Sequence, residues 1–271
     1  MKTLIGRDTR LCMSLAARPG TFGSRFHNHL YDALGLDFVY KAFTTTDLPA
    51  AIGGIRALGI RGCAISMPFK EAVIPLLDAL EGSARAIDSV NTIVNDDGRL
   101  TGFNTDYSAV RTLVEQADID RASAFVLRGS GGMAKAVAAA MRDAEFANGT
   151  IVARNAAAGQ ALARAYGFGW AADLGDLGAP ILINVTPLGM AGADETALAF
   201  PEDRVTACAM AFDVVALPVE TPFLAMARAM GKTLITGGQV AILQALEQFV
   251  LYTGVRPSDA QVEAAAAFAR G

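Results

Sequence analysis

One seven-residue stretch constrains this chain more than any other: Arg128-Gly129-Ser130-Gly131-Gly132-Met133-Ala134. It follows the apolar run Ala124–Leu127 and leads into Ala134–Met141, which is rich in strong helix formers. The order strand, glycine turn, helix is therefore legible at once. Glycines at 129, 131 and 132 let the backbone turn sharply and come close to a bulky anion. The helix that follows points unpaired N–H groups and the positive end of its dipole at that anion. This is a phosphate cradle of the dinucleotide-binding kind, with Ala134 at the last small-residue position. An ordinary tight turn uses the same residue types, so the flanking sequence has to decide.

The flanks alternate strand and helix. Leu11–Leu15, Phe38–Phe43 and Gly62–Ser66 read as strands. Phe22–Leu34 reads as a helix with Phe26, Leu30 and Leu34 on one face and Gly35 past its end. Asp47 is placed to cap a second helix, with Pro49 in the first turn and Gly59 beyond the last. Met67-Pro68-Phe69-Lys70 follows the third strand and opens a helix expected to reach Leu80. Val90–Val94 and Arg99–Phe103 flank Asn95-Asp96-Asp97-Gly98, a hairpin signal. A linking helix is expected over Asp106–Ala117.

Past the glycine turn, Thr150–Ala153, Ala209–Val215 and Thr233–Ile235 read as strands, and Ile181–Val185 is apolar enough for a parallel sheet buried on both faces. Gln160–Tyr166 and Pro222–Met230 read as helices. Val240–Tyr252 is apolar nearly all round, so it is expected to lie between layers and return to the first domain. Ser258 and Gln261 have the spacing of a capping box for a final helix. The expected architecture is α/β in two domains. An N-terminal α/β substrate-binding and catalytic domain spans 1–104, a Rossmann domain spans 105–237, and C-terminal helices over 238–271 pack back on the first.

Composition narrows the partners. The net charge is −4 and no block of Lys and Arg occurs, which argues against nucleic acid or an anionic membrane as partner. Mean hydropathy is high at +0.35, but the excess comes from alanine, and no run of about 18 apolar residues suggests a membrane span. The N-terminal stretch Met1–Asp8 turns polar too early for a secretory signal, and Cys12, Cys63 and Cys208 are scattered. Reduced thiols in a cytoplasmic protein are expected. With two histidines, His27 and His29, and no metal-ligand spacing, the expected chemistry uses neither a metal nor a histidine base.

Several residues stand where chemistry would need them. Arg154 lies 23 residues past Gly131, at the end of the second strand of the nucleotide unit. An acidic residue there would bond a ribose 2′-hydroxyl, whereas an arginine fork suits a 2′-phosphate, so NADP(H) is expected over NAD(H). Lys70 sits where a strand gives way to a helix, with Pro68 and Phe69 to fix the turn, a position suited to proton exchange or to a structural role. Asp106, in Asn104-Thr105-Asp106, can pair with Lys70 and can equally cap the linking helix. Asn91, at the hairpin start, can add an amide to the same pocket or serve the turn.

Taken together and in order, these motifs resemble the shikimate dehydrogenase family over essentially the whole chain, and most closely its shikimate dehydrogenase-like branch. The resemblance rests on Ser14, Met67-Pro68-Phe69-Lys70, Val90-Asn91-Thr92, Asn104-Thr105-Asp106 and Gly129-Ser130-Gly131-Gly132. It continues through Ala153-Arg154-Asn155, Asn184-Val185-Thr186, Thr221-Pro222-Phe223-Leu224 and Gln244. It implies a substrate domain, an NADP-binding Rossmann domain and reversible hydride transfer between NADP(H) and the shikimate/3-dehydroshikimate pair, as in chorismate and aromatic amino acid biosynthesis. Lys70 and Asp106 would be the catalytic pair. Ser14, Ser66, Asn91 and Gln244 would bind a hydroxylated cyclic carboxylic acid. Cofactor contacts would come from Gly129, Ser130, Gly131, Gly132, Met133, Ala134, Arg154, Asn155, Asn184, Thr186, Met190, Val214 and Gly237, in a monomer or homodimer. Met190 is expected to pack on the nicotinamide, and Gly237-Gly238 to let the chain cross nearby.

The departures from the family pattern bear on the substrate. Ala16 replaces a second serine, Ala64-Ile65-Ser66 replaces Asn-Val-Thr, Ala216 stands where a tyrosine is common, and Ala158 replaces the second arginine of the 2′-phosphate clamp. Each lost polar contact costs about 1–3 kcal/mol, so reduced activity on shikimate is expected. A dehydrogenase of quinate or a related ring acid, and a non-catalytic NADP-responsive binding protein, are the competing readings. Retention of both Lys70 and Asp106 speaks against the second.

Overall fold

A computed structural model describes residues 5–271, so the start of the polar N-terminal stretch, Met1–Leu4, lies outside the described residues. The chain divides into two compact units, one running up to Thr105 and resuming at Ile242–Gly271, the other Asp106–Ala241.

The first unit opens with β1 (Arg10–Leu15), α1 (Phe22–Leu34), β2 (Phe38–Phe43), α2 (Leu48–Ala57) and β3 (Gly62–Ile65). Gly35 ends α1 at φ 64°, a left-handed cap that glycine adopts without a Cβ clash. Asp47 caps α2 by accepting the Ala50 N–H at 3.0 Å. The helix expected from Lys70 to Leu80 does not form. Instead α3 (Phe69–Ala72) stops after one turn, a 3₁₀ turn covers Ile74–Leu76, and Leu80 belongs to the short strand β4 (Ala79–Leu80). Pro75 is the reason: it has no N–H to give and its ring would collide with the carbonyl four residues back.

A one-turn helix, α4 (Gly82–Arg85), precedes the hairpin of β5 (Thr92–Asp96) and β6 (Arg99–Phe103). Its turn places Asp97 at φ 50° and Gly98 at φ 91°. The sheet runs β2-β1-β3-β5-β6-β4, with β5 antiparallel to both neighbours and the other pairings parallel. Alternation along β1 splits two cores. Cys12 joins Phe26, Leu30, Tyr31 and Tyr40 on one face, and Met13 and Leu15 join Ile52, Ile55, Ile65 and Ile93 on the other.

The linking helix α5 (Thr105–Gln116) leads into the second unit. There β7 (Phe125–Arg128), α6 (Gly132–Asp143), β8 (Gly149–Val152), α7 (Ala156–Tyr166), β9 (Gly169–Ala171) and β10 (Ile181–Asn184) follow. The unit closes with α8 (Glu202–Ala207), β11 (Met210–Asp213), α9 (Pro222–Ala229) and β12 (Thr233–Thr236). Neither β9 nor α8 is announced by the sequence pattern, being three and six residues long. The sheet is parallel throughout, in the order β12-β11-β10-β7-β8-β9. This is the doubly wound order of dinucleotide folds, and its switch point lies between β7 and β10. All four residues of β10 are buried, as a strand covered on both faces must be.

The helix α10 (Gly237–Thr253) begins three residues earlier than its apolar pattern suggests. Thr236 and Gln239 form a reciprocal cap: the Gln239 Oε1 accepts the Thr236 N–H at 2.8 Å and the Thr236 Oγ1 accepts the Gln239 N–H at 3.2 Å. From Ile242 the helix belongs to the first unit, where Ala245, Phe249 and Tyr252 enter the core around α1. Gly62 makes room for it, since a Cβ there would lie 2.2 Å from the Tyr252 ring. The final helix, α11 (Asp259–Arg270), starts at the Ser258–Gln261 capping box and packs on α1.

Candidate active site

The candidate substrate-binding residues of the first unit sit at strand ends. Ser14 lies half-buried on β1, its hydroxyl interacting with Tyr40, whose phenol is pushed up in pKa chiefly by burial. Ser66 is exposed at the end of β3; its N–H donates to the Leu15 carbonyl at 3.0 Å and its carbonyl accepts the Phe69 N–H at 2.9 Å. That turn, with a cis Met67–Pro68 peptide, delivers the half-buried Lys70 into α3. The Lys70 carbonyl in turn accepts the Val90 N–H at 2.9 Å, tying its backbone to the residue before Asn91.

Asn91 is the hub. It is 3% exposed, and its Oδ1 accepts the Thr105 N–H at 2.8 Å, the Thr92 hydroxyl at 2.8 Å and the Thr105 hydroxyl at 3.2 Å. The amide oxygen thus closes the start of α5, while Nδ2 carries no hydrogen bond among the described residues and remains the end able to meet a ligand. Asp106 follows Thr105 directly. It stands in the first turn of α5, not at the cap the sequence suggested, because the helix already begins at Thr105. An acidic residue is stabilising there.

Gln244 accepts the Thr105 hydroxyl at 3.4 Å from the side of α10. One turn further on, Gln248 donates Nε2 to the Thr92 Oγ1 at 3.0 Å and to the Asn91 carbonyl at 3.3 Å. Sequence reasoning passed over Gln248. The available signal was a second glutamine four positions after Gln244, on the same face of a largely apolar helix.

In the second unit the site is mostly backbone. Gly129 sits at φ 124° with its N–H on the Val152 carbonyl at 2.8 Å, and a Cβ there would lie 2.8 Å from the Val185 side chain. Only glycine fits. Gly131 and Gly132 are exposed, with nothing within 4 Å of where a Cβ would stand, so their backbone is open to a ligand. Ser130 and Met133 are half-buried, and Ala134 is fully buried against the sheet. Arg154 is exposed just past β8 and makes no ion pair among the described residues. Asn155 caps α7 by accepting the Ala158 N–H at 3.1 Å.

Two of the residues expected at the cofactor also shape the local structure. Asn184 is fully buried: its Nδ2 donates to Asp213 at 3.0 Å and to the Leu188 carbonyl at 3.1 Å, and its Oδ1 accepts the Thr186 N–H at 3.0 Å and hydroxyl at 2.6 Å. It shapes the loop that follows β10. Gly237 serves close packing: a Cβ would lie 2.4 Å from the Val214 carbonyl and 2.3 Å from that of Val215. Val214 is half-buried beside this contact, and Met190 is 46% exposed.

Asp213 was missed, and it anchors that loop network. It is fully buried and accepts from the Thr221 hydroxyl at 2.8 Å, the Val215 N–H at 3.0 Å and Asn184. Burial pushes its pKa up to about 6, with those hydrogen bonds pulling the other way.

A parallel sheet in doubly wound order, with an open glycine turn at its switch point, defines a dinucleotide-binding α/β protein. The first unit narrows the class further, and the chain belongs to the shikimate dehydrogenase family. Residues 21–93 match the shikimate dehydrogenase substrate binding domain. A shikimate dehydrogenase-like protein of Haemophilus influenzae is 54% identical over 98% of this chain and 99% of its own length. A solved shikimate 5-dehydrogenase-like protein, also 54% identical, aligns over 99% of this chain and 100% of that one with a TM-score of 0.97. The shikimate 5-dehydrogenase of Thermus thermophilus, in complex with NADP(H) and shikimate, is 30% identical and aligns over 96% and 99% of the two chains with a TM-score of 0.84.

Proposed function

We propose that this protein is an NADP-dependent oxidoreductase that interconverts shikimate and 3-dehydroshikimate, with reduced activity on shikimate. One observation carries the catalytic assignment: through Val90, Asn91 and Thr105 the backbone of Lys70 is linked to the residue that precedes Asp106. Family membership supports the reaction, and the open glycine backbone with an arginine beside it that makes no ion pair among the described residues fits an anionic dinucleotide. We assign residues 1–104 to substrate binding and catalysis, 105–237 to NADP, and 238–271 to the helices that complete the first unit.

NADP, when bound, supplies or accepts the hydride. Lys70 Nζ exchanges the proton of the reacting oxygen, and Asp106 orients that ammonium and receives a neighbouring hydroxyl. Asn91 Nδ2, Gln244, Ser14 and Ser66 hold the remaining hydroxyls and the carboxylate. The buried Ala16 and half-buried Ala64 offer no polar group, which is why turnover of shikimate is reduced. Three buried, free thiols suit the reducing cytoplasm, where we place the protein.

The test is an absorbance assay of the purified protein with shikimate or quinate and NADP⁺ or NAD⁺. NADP⁺-dependent oxidation of shikimate is expected. Faster turnover of quinate would transfer the assignment to that acid. Tight NADP binding with no turnover of any hydroxylated ring acid would leave a non-catalytic binder.

A further inference from the structure

Arg154 has company at the carboxyl end of the second unit's sheet. Arg128, the last residue of β7, is in register with Val152 of β8, and Arg154 follows Val152 by two residues. The pairing of β8 reaches Ala153, whose N–H bonds the Ala171 carbonyl at 3.0 Å, and the chain bends at Arg154. Neighbours in register, and residues two apart on one strand, project from the same face. Arg128 therefore leaves the sheet on the face that buries Val126 and Val152, and Arg154 stands at the bend just past the end of the neighbouring strand.

Arg128 is half-buried, and one N–H of its guanidinium is spent on the Ala199 carbonyl. Neither arginine pairs with a carboxylate among the described residues. Burial first, and then the charge of Arg154, pull the pKa of Arg128 down, so the two cations stand within electrostatic reach of each other. Two uncompensated guanidinium groups at this place form an anion site whose mutual repulsion a phosphate would relieve.

We propose that Arg128 is the second cation for the adenosine 2′-phosphate of NADP, in the role Ala158 cannot fill, and that it sets the preference for NADP over NAD. This rests on the NADP reading above. The clamp is then built from two different strand ends, 26 residues apart in the chain.

Calorimetric titration of the full-length protein with adenosine 2′,5′-bisphosphate and with adenosine 5′-monophosphate separates the possibilities. The wild type is expected to prefer the bisphosphate. Arg128→Gln, which keeps a donor for Ala199, is expected to weaken the bisphosphate roughly ten- to hundred-fold and leave the monophosphate unchanged. Adding Ala158→Arg to that variant is expected to restore most of the preference. Unchanged preference in Arg128→Gln, or equal weakening of both probes, overturns the role of Arg128 while leaving the NADP reading intact. Equal binding of both probes by the wild type removes the NADP reading and this inference with it. If Arg128→Gln does not fold, Arg128→Lys decides: it keeps the charge without the fork, so an intermediate preference is expected and an unchanged one counts against the proposal.

Discussion

The two units treat polar groups in opposite ways. In the second, the candidate ligand-facing surface is backbone, three glycines at a helix start, and the polar side chains of Asp213, Asn184, Thr186 and Thr221 close on one another. In the first, the candidate ligand-facing groups are side chains drawn from four separate segments, at 14, 66–70, 91 and 244. Its core also holds more polar atoms without hydrogen-bond partners, both ring nitrogens of His27 and the hydroxyls of Tyr31 and Tyr252, against Arg204 Nε in the second among the described residues. His27 is stacked on Tyr40 at 4.4 Å, with Phe26, Tyr31, Phe249 and Tyr252 around it. The lesson concerns ligands. A phosphate is bound by a local backbone turn, which one stretch of sequence can specify, whereas recognition of one small acid needs side chains assembled from afar.

The strongest way to break this contrast is at Lys70. Lys70→Ala is expected to lower turnover about a thousandfold while the NADP dissociation constant, read by fluorescence titration, stays within about twofold. Retention of most activity would move proton exchange to another group. Acidification is the next largest effect, and it should split the units. Burial pushes His27 down to about 3 from 6.5, so its contribution to stability is complete above pH 6.5 and is lost as pH falls toward 3. Asp213 is raised from 3.8 to about 6, so its contribution is complete below pH 3.8 and is lost as pH rises through 6. Between pH 6.5 and 5 the first unit should lose, and the second gain, up to about 1.4 kcal/mol per pH unit from these groups. Hydrogen exchange reads this as opening free energies falling in α1 and β2 and rising in β10 and β11. Parallel changes in both units would contradict it.

Gly129→Ala should cost the second unit about 1–3 kcal/mol, because it combines a left-handed φ with a clash on Val185. Gly131→Ala, at φ −79° in open space, should stay within about 0.5 kcal/mol of wild type. Urea denaturation of the pair checks whether the cradle's demands are as local as its geometry. A smaller effect than at Gly129 is expected at Gln248. Gln248→Leu removes two donors beneath Asn91 at about 1 kcal/mol and should raise KM for the acid several-fold without changing NADP affinity. A matching loss of NADP affinity would mean that Gln248 does more than support the first unit.

Sequence alone settled what depends on near neighbours. The glycine turn, the cap at Gly35, the Asp97-Gly98 hairpin turn and the Ser258–Gln261 box are each specified by a few adjacent residues, and each was legible. The helix drawn through Pro75 was a misreading of an apolar run. β4 escaped notice because it exists only by pairing with β6.

Only the tertiary structure decided which polar groups meet. Asn91 reads equally as a turn residue or a pocket amide until the fold places its oxygen on Thr105 and Gln248 beneath it, 157 residues away in the chain. Asn184 is joined to Asp213, 29 residues further along the chain, only once β10 and β11 are paired. Arg128 reads as a strand end until register sets it beside Val152, two residues before Arg154. The physical reason is range. Turns and caps arise from backbone torsions and hydrogen bonds a few residues long, but a directional bond between distant side chains forms only after strand register and helix packing have set their positions.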